Sequence, residues 1–229
     1  MWSDGGCAPD AGGMAMRNRR RMGTICMILG TVLVLAALSL FFRNRQEDER
    51  AGESVDHLLP LMKEYIEDSA EQKKAAAVHP AGPDAEPSAM TEIELDGNYY
   101  IGYLSMPSLG LELPVMAQWD YERLRIAPCR YTGSVKTDDL VIAAHNYSCH
   151  FGGISQFSGG EDVYFTDLDG MRYCYQVVKV ETLEPAAVEE MSAGKYDLTL
   201  FTCTYGGASR VTVRCERSGS GVNKDANDN

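Results

Sequence analysis

Basic residues are what this chain is short of. Lys and Arg total 21 against 33 Asp and Glu, a formal net charge of −12. That balance argues against a nucleic-acid binder, because phosphate contacts need clustered Lys and Arg. Histidine is scarce too. Four are present, His57, His79, His145 and His150, so few side chains can carry protons near neutral pH. No internal repeat is visible, which speaks against solenoid and propeller architectures.

Charge is missing altogether from Gly23–Phe42, GTICMILGTVLVLAALSLFF. At 1.5 Å rise per residue this run spans about 30 Å, the thickness of a bilayer core. The one basic cluster, RNRRR at Arg17–Arg21, precedes it, and the mixed segment QEDER at Gln46–Arg50 follows. By the positive-inside tendency the N-terminus is expected to be cytoplasmic and the remaining chain outside. A cleaved signal peptide is the competing reading. Its apolar core is usually ~7–15 residues, and no small-x-small cleavage site follows Phe42, so an uncleaved anchor is expected.

Beyond the anchor, Val55, Leu58, Leu59, Met62 and Ile66 lie near helical spacing within Glu47–Ala77, the pattern of a stalk helix with a narrow apolar stripe. Pro60 is expected to break or kink it. HPAGPDAEPSAM at His79–Met90 holds three prolines and reads as a linker. The expected organisation is residues 1–22 cytoplasmic, 23–42 transmembrane, 43–91 stalk and linker, 92–217 folded domain and 218–229 a disordered tail. At 229 residues and 45% hydrophobic the chain can bury one sizeable core. Within the domain, strand-like runs recur at Tyr99–Ser105, Leu111–Val115, Leu140–Ala144, Asp162–Thr166, Met171–Thr182, Leu198–Thr202 and Val211–Glu216. Asp169–Gly170 is a hairpin signal. Short helical pieces fit Asp120–Ile126, Ile154–Phe157 and Ala186–Ser192. Many short strands with few helices predict a mainly β fold, a closed or nearly closed antiparallel barrel.

The chemistry concentrates in Asp197–Arg217, DLTLFTCTYGGASRVTVRCER. Two strand-like runs flank Thr204–Ser209, whose paired glycines Gly206 and Gly207 suit a reversal. Cys203 then closes the first strand and Arg210 opens the second. Antiparallel neighbours sit roughly 4.5–5.5 Å apart, so thiol and guanidinium can meet. A nearby cation favours the nucleophilic thiolate and can stabilise the oxyanion of acyl transfer. Such chemistry also needs a proton carrier, usually histidine. His57 and His79 fall in the stalk and linker. His145 follows the apolar run LVIAA and so ends a strand, as Cys203 does. Spacing leaves open whether the two strand ends share a mouth.

DLTLFTC with Arg210 seven positions after Cys203 resembles the TLxTC…R signature of the sortases, and IAAHN at Ile142–Asn146 resembles the family's histidine segment. YYIGYLSMPSLGLELPVM at Tyr99–Met116 is similar to the family's opening strands, and YTGS at Tyr131–Ser134 to its pre-histidine segment. The order His, Cys, Arg and the plan of anchor, spacer and C-terminal domain also match. The resemblance implies an eight-stranded sortase-type β-barrel and a cysteine transpeptidase acting on an LPxTG-like C-terminal sorting signal. It implies Cys203 as nucleophile, His145 as proton carrier, Arg210 as substrate and oxyanion donor, and Thr202 as a shaper of the substrate pocket. The implied partners are sorting-signal-bearing surface proteins or pilins, with a peptidoglycan precursor or a pilin lysine as amine acceptor.

No metal or organic cofactor is required for that chemistry. Asp138, Asp139, Glu184, Glu189 and Glu190 are candidates for the calcium site some sortases carry, although scattered carboxylates on an acidic chain are ordinarily just solvated. Arg214 is the alternative arginine, but it lies about 13 Å further along a strand. His150 reads as a loop or packing residue. Cys129, Cys149, Cys174 and Cys215 suit either a disulfide in an extracytoplasmic setting or small buried hydrophobes. The short segment between Thr182 and Leu198 lacks the long insertion of class B sortases. No extended lid precedes Tyr99, although Pro80–Met90 could occlude a groove, so an anchoring enzyme is expected over a pilus polymerase. Two other function classes remain open: a non-catalytic peptide-binding or scaffold domain on the same barrel, and a hydrolytic cysteine peptidase.

Overall fold

The computed structural model describes residues 11–75, 90–192, 195–204 and 206–218. The expected linker with His79, most of the possible lid at Pro80–Met90, Cys7 and the tail beyond Ser218 lie outside the described residues. The chain divides into two compact units, Met1–Gln46 and Glu47–Asn229.

A single helix, α1 (Ala11–Ala75), contains the expected anchor. It is long and apolar enough to cross a membrane: its most apolar 18-residue window has a mean hydropathy of 2.7 and no buried residue. Pro60 does not end this helix. Its ring is exposed, while Val55, Leu58 and Met62 on the stripe are buried in the second unit. A helix-interior proline costs about 3 kcal/mol, and burying Leu58 and Met62 stabilises by about 1.5–3 kcal/mol each. Packing therefore offsets the missing hydrogen bond. The stripe that read as a stalk is a packed part of the unit.

The strands are β1 (Ile93–Leu95), β2 (Asn98–Met106), β3 (Leu111–Met116), β4 (Cys129–Thr132), β5 (Leu140–Ala143), β6 (Asp162–Asp167), β7 (Arg172–Leu183), β8 (Leu198–Cys203) and β9 (Arg210–Arg217), with a short helix α2 (Val188–Ser192) before β8. They pair in the order β1-β2-β3-β4-β5-β8-β9-β7-β6, and a β2–β6 ladder closes the eight strands β2 to β9 into a barrel. β1 is an added edge strand. All seven expected strands are present. β1 and β4 escaped the reading because they are three and four residues long and carry polar side chains. The expected pieces at Asp120–Ile126 and Ile154–Phe157 shrink to single 3-10 turns, Arg123–Arg125 and Ile154–Gln156.

The barrel is mixed where an antiparallel one was expected. β3 with β4 and β5 with β8 run parallel. Each pair is joined by a long connection, which parallel strands need. Both faces of β5 are covered, which explains its unbroken apolar run. Leu140 and Ile142 join Leu198 and Leu200 in the larger cluster that fills the barrel. The alternate residues Val141, Ala143 and Phe201 join Leu58, Met62 and Met191 in a second cluster.

Candidate active site

Parallel pairing of β5 with β8 sets Ala143 opposite Phe201. Two residues on, His145 lies just past the end of β5 and Cys203 ends β8, and both line the same cavity. The ends are fastened together: Ala144 N–H donates to the Phe201 carbonyl at 3.1 Å, and Thr202 Oγ1 donates to the Ala144 carbonyl at 2.8 Å. On the other side of β8 the hairpin pairs Cys203 directly with Arg210. Its loop closes as the glycines suggest, with Thr204 N–H on the Ser209 carbonyl at 2.9 Å and Gly207 N–H on the Thr204 carbonyl at 2.8 Å. Three adjacent strands, β5, β8 and β9, thus carry His145, Cys203 and Arg210 in a row at one barrel end.

The three side chains line one cavity of about 210 Å³, walled by Trp119, Tyr121, Tyr131 and Phe201 among others. The aromatic rings form a connected wall: Tyr131 lies 5.3 Å from Phe201 and 5.1 Å from Trp119. A second cavity of about 180 Å³ also reaches Cys203, bounded by Asn146, Phe151, Ser155 and Thr204. A larger depression of about 360 Å³, beside Lys179, Glu189 and Arg214, is lined by neither Cys203 nor His145. Sequence reasoning missed the aromatic wall, although the run Trp119-Asp120-Tyr121 is an exposed aromatic pair in a loop.

Burial depresses the His145 pKa below the ordinary histidine value, the Arg125 charge adds to that, and Glu47 opposes it. The imidazole is therefore neutral at neutral pH. Among the described residues Arg210 hydrogen-bonds only weakly, to the loop carbonyls of Ser209 at 3.3 Å and Gly207 at 3.4 Å. Arg214 is fully committed elsewhere. It is 2% exposed and donates to Glu181, Thr199 and the carbonyls of Met191 and Glu190. Thr202 is 4% exposed, so its hydroxyl is a clip between strand ends while its side borders both cavities.

The other candidates lie apart. His57 is exposed on α1 and pairs with Asp96 at 3.2 Å. His150 is wholly buried, and neither ring nitrogen has a hydrogen-bond partner. The Ile126 backbone lies toward the ring and counters the fall in its pKa, but without hydrogen-bonding geometry. Cys129, Cys149, Cys174 and Cys215 are all free thiols, with Cys129 and Cys215 packed in the two apolar clusters. Among the described residues no three acidic, His or Cys side chains gather as metal ligands. Asp138 pairs with Arg217 at 2.6 Å, and Asp139 accepts the Ser134 N–H at 3.0 Å.

A mixed barrel that presents a thiol between an imidazole and a guanidinium at the floor of a cleft has the makeup of a cysteine acyl-transfer enzyme. The Sortase domain family matches residues 104–218, half of the chain, and the chain belongs to the sortase family, whose members are cysteine transpeptidases. It is 26% identical over 196 residues to sortase A of Bacillus anthracis, covering 81% of this chain and 89% of that protein. The solved structure of a Clostridium perfringens sortase D5 transpeptidase shares the fold at a TM-score of 0.53 and 16% identity, over 75% of this chain and 99% of that one. A Streptococcus pneumoniae sortase C gives 0.49 at 21% identity, over 73% of this chain and 97% of that one.

Proposed function

We propose that this chain is a membrane-anchored sortase that cuts an LPxTG-like C-terminal sorting signal and passes the new acyl end to an amine. The observation that carries this reading is the row His145, Cys203, Arg210 on three adjacent strand ends around one cavity. The neutral His145 takes the thiol proton as Cys203 Sγ attacks the scissile carbonyl. Arg210 steadies the oxyanion that forms. The tetrahedral adduct collapses as His145 delivers the proton to the departing amine, leaving a thioester on Cys203. In the second half His145 takes a proton from the incoming amine as the amine nitrogen attacks the thioester, and the departing Cys203 thiolate recovers that proton from His145. Thr202 keeps the strand ends carrying nucleophile and base in register and shapes the acyl pocket. No metal or organic cofactor enters these steps.

The aromatic-walled cavity suits the apolar residues of a sorting signal. The second cavity at Cys203 offers an acceptor amine an approach of its own. The basic cluster before the apolar stretch of α1 supports a cytoplasmic N-terminus and an outward-facing catalytic unit. The acceptor is a cell-wall precursor amine or a pilin lysine, and the clients are surface proteins or pilins.

Product partition tests this. The full chain in detergent is incubated with an LPxTG-like peptide, with and without hydroxylamine. Ligated product should grow with amine concentration at the expense of hydrolysed peptide. Hydrolysis insensitive to amine would identify a peptidase instead, and binding without turnover a scaffold.

A further inference from the structure

His145 has an unusual support. A catalytic base is ordinarily oriented by a hydrogen bond from a third group. Among the described residues no side chain or carbonyl hydrogen-bonds the His145 ring. What lies against it is Tyr147, with ring centroids 4.9 Å apart and planes tilted by 33°. Behind Tyr147 stands the buried His150 ring, at 5.5 Å. Orientation of the base therefore passes to the turn that carries Tyr147.

That turn closes partly on itself. Phe151 N–H donates to the His145 carbonyl at 3.1 Å, and His150 and Gly152 N–H both donate to the Tyr147 carbonyl, at 3.1 and 2.8 Å. Gly152 has no room for a side chain, since a Cβ there would lie 2.7 Å from the Tyr147 carbonyl oxygen. The apex, Ser148–Cys149, is held from outside. Asp48 on α1 accepts the Ser148 N–H at 2.8 Å through one carboxylate oxygen and the Ser148 hydroxyl through the other. The Cys149 thiol lies 3.4 Å from the Asp48 carbonyl and 3.5 Å from its carboxylate. Next to these contacts, a Cβ added at Gly52 would just reach the Cys149 side chain, at 3.8 Å, and Ala51 is buried.

We propose that Asp48 is a positioning residue for His145, acting through the Ser148 apex to hold the Tyr147 ring against the imidazole. The proposal rests on the reading of His145 as the proton carrier. Asp48 does not touch the reacting atoms, and it lies 100 residues from Ser148 in sequence. Its carboxyl is ionised at neutral pH: partial burial works against the charge, but hydrogen bonds from Ser148 and Cys149 outweigh that and hold its pKa below the ordinary carboxylate value. The acyl site therefore needs a residue outside the barrel strands, and a barrel cut free of Glu47–Asp48 keeps Cys203, His145 and Arg210 but loses the brace on the base.

The test compares wild type, Asp48→Ala and Asp48→Asn as full chains in detergent, with two readouts that need no substrate. In Asp48→Ala, amide exchange at Ser148 should accelerate, and the His145 ring, followed by NMR, should titrate closer to the ordinary histidine pKa as water reaches it. With an LPxTG-like peptide and hydroxylamine, kcat should fall about tenfold with KM little changed, within the up to ~10² that displacement of a catalytic group by about 1 Å costs. Asp48→Asn keeps an oxygen to accept the Ser148 N–H and should recover much of each change. Unchanged exchange and titration in Asp48→Ala would overturn the proposal. So would a loss of kcat that Asp48→Asn does not relieve. If His145→Ala transfers as well as wild type, the proton-carrier reading fails instead, whatever Asp48 does to the turn.

Discussion

Arg210 and Arg214 stand four residues apart on β9, and their surroundings separate a chemical role from a structural one. Arg210 opens the strand beside Cys203 with two weak loop contacts. Arg214 holds α2 against the barrel through two of its backbone carbonyls and is buried with Glu181 and Thr199. Arg210→Ala should therefore lower the transfer rate by roughly 10²–10³ with little change in melting temperature. Arg214→Ala should do the reverse, costing about 3 kcal/mol in a denaturant titration because it strips donors from buried acceptors. His150 makes a separate prediction. Burial, with the neighbouring His145 adding to it, lowers its pKa to about 4 from an ordinary 6.5. Between those values the unfolded chain binds a proton that the native state does not. Stability should thus fall as the pH falls, by roughly 3 kcal/mol across the window. His150→Phe should flatten that slope when unfolding is measured at pH 7 and at pH 5.

At the scale of elements, the β8–β9 hairpin was legible to within a residue at each strand end. Its strands are β-rich, and Gly206 and Gly207 adopt the positive φ angles of 83° and 73° that such a loop uses. The two parallel ladders were not legible, because nothing local distinguishes a strand paired with its sequence neighbour from one paired across the barrel. The barrel seam shows the same limit. Gly102 sits opposite Asp167 where β2 meets β6, with φ at 145° and a would-be Cβ 2.1 Å from the Thr166 carbonyl oxygen. In sequence it is an unremarkable glycine inside a strand. Gly102→Ala should open the seam and lower stability by roughly 1–3 kcal/mol or more, read as a fall in melting temperature. For α1 the stripe was visible, but its partner was not. Leu58 and Met62 pack on residues dozens of positions away, and that packing carries the helix through Pro60.

Across the whole molecule, the candidate residues could be named from their types and motifs, while their convergence could not. His145 and Cys203 are 58 positions apart in sequence and become neighbours only because β5 and β8 run parallel in register. Tyr147 and Asp48 carry no motif, and only the folded turn reveals that one lies against the His145 ring and the other holds the Ser148 apex. The chain joins a helix long and apolar enough to cross a membrane to a barrel of the sortase family. The most direct measurement is the intact mass of the full chain after brief exposure to LPxTG-like peptides without an acceptor. A thioester adduct equal to the acyl part of the peptide should appear on Cys203, disappear on adding hydroxylamine with release of ligated product, and never form in Cys203→Ala. No adduct across a broad panel of sorting peptides, or product formation that survives Cys203→Ala, would contradict the account.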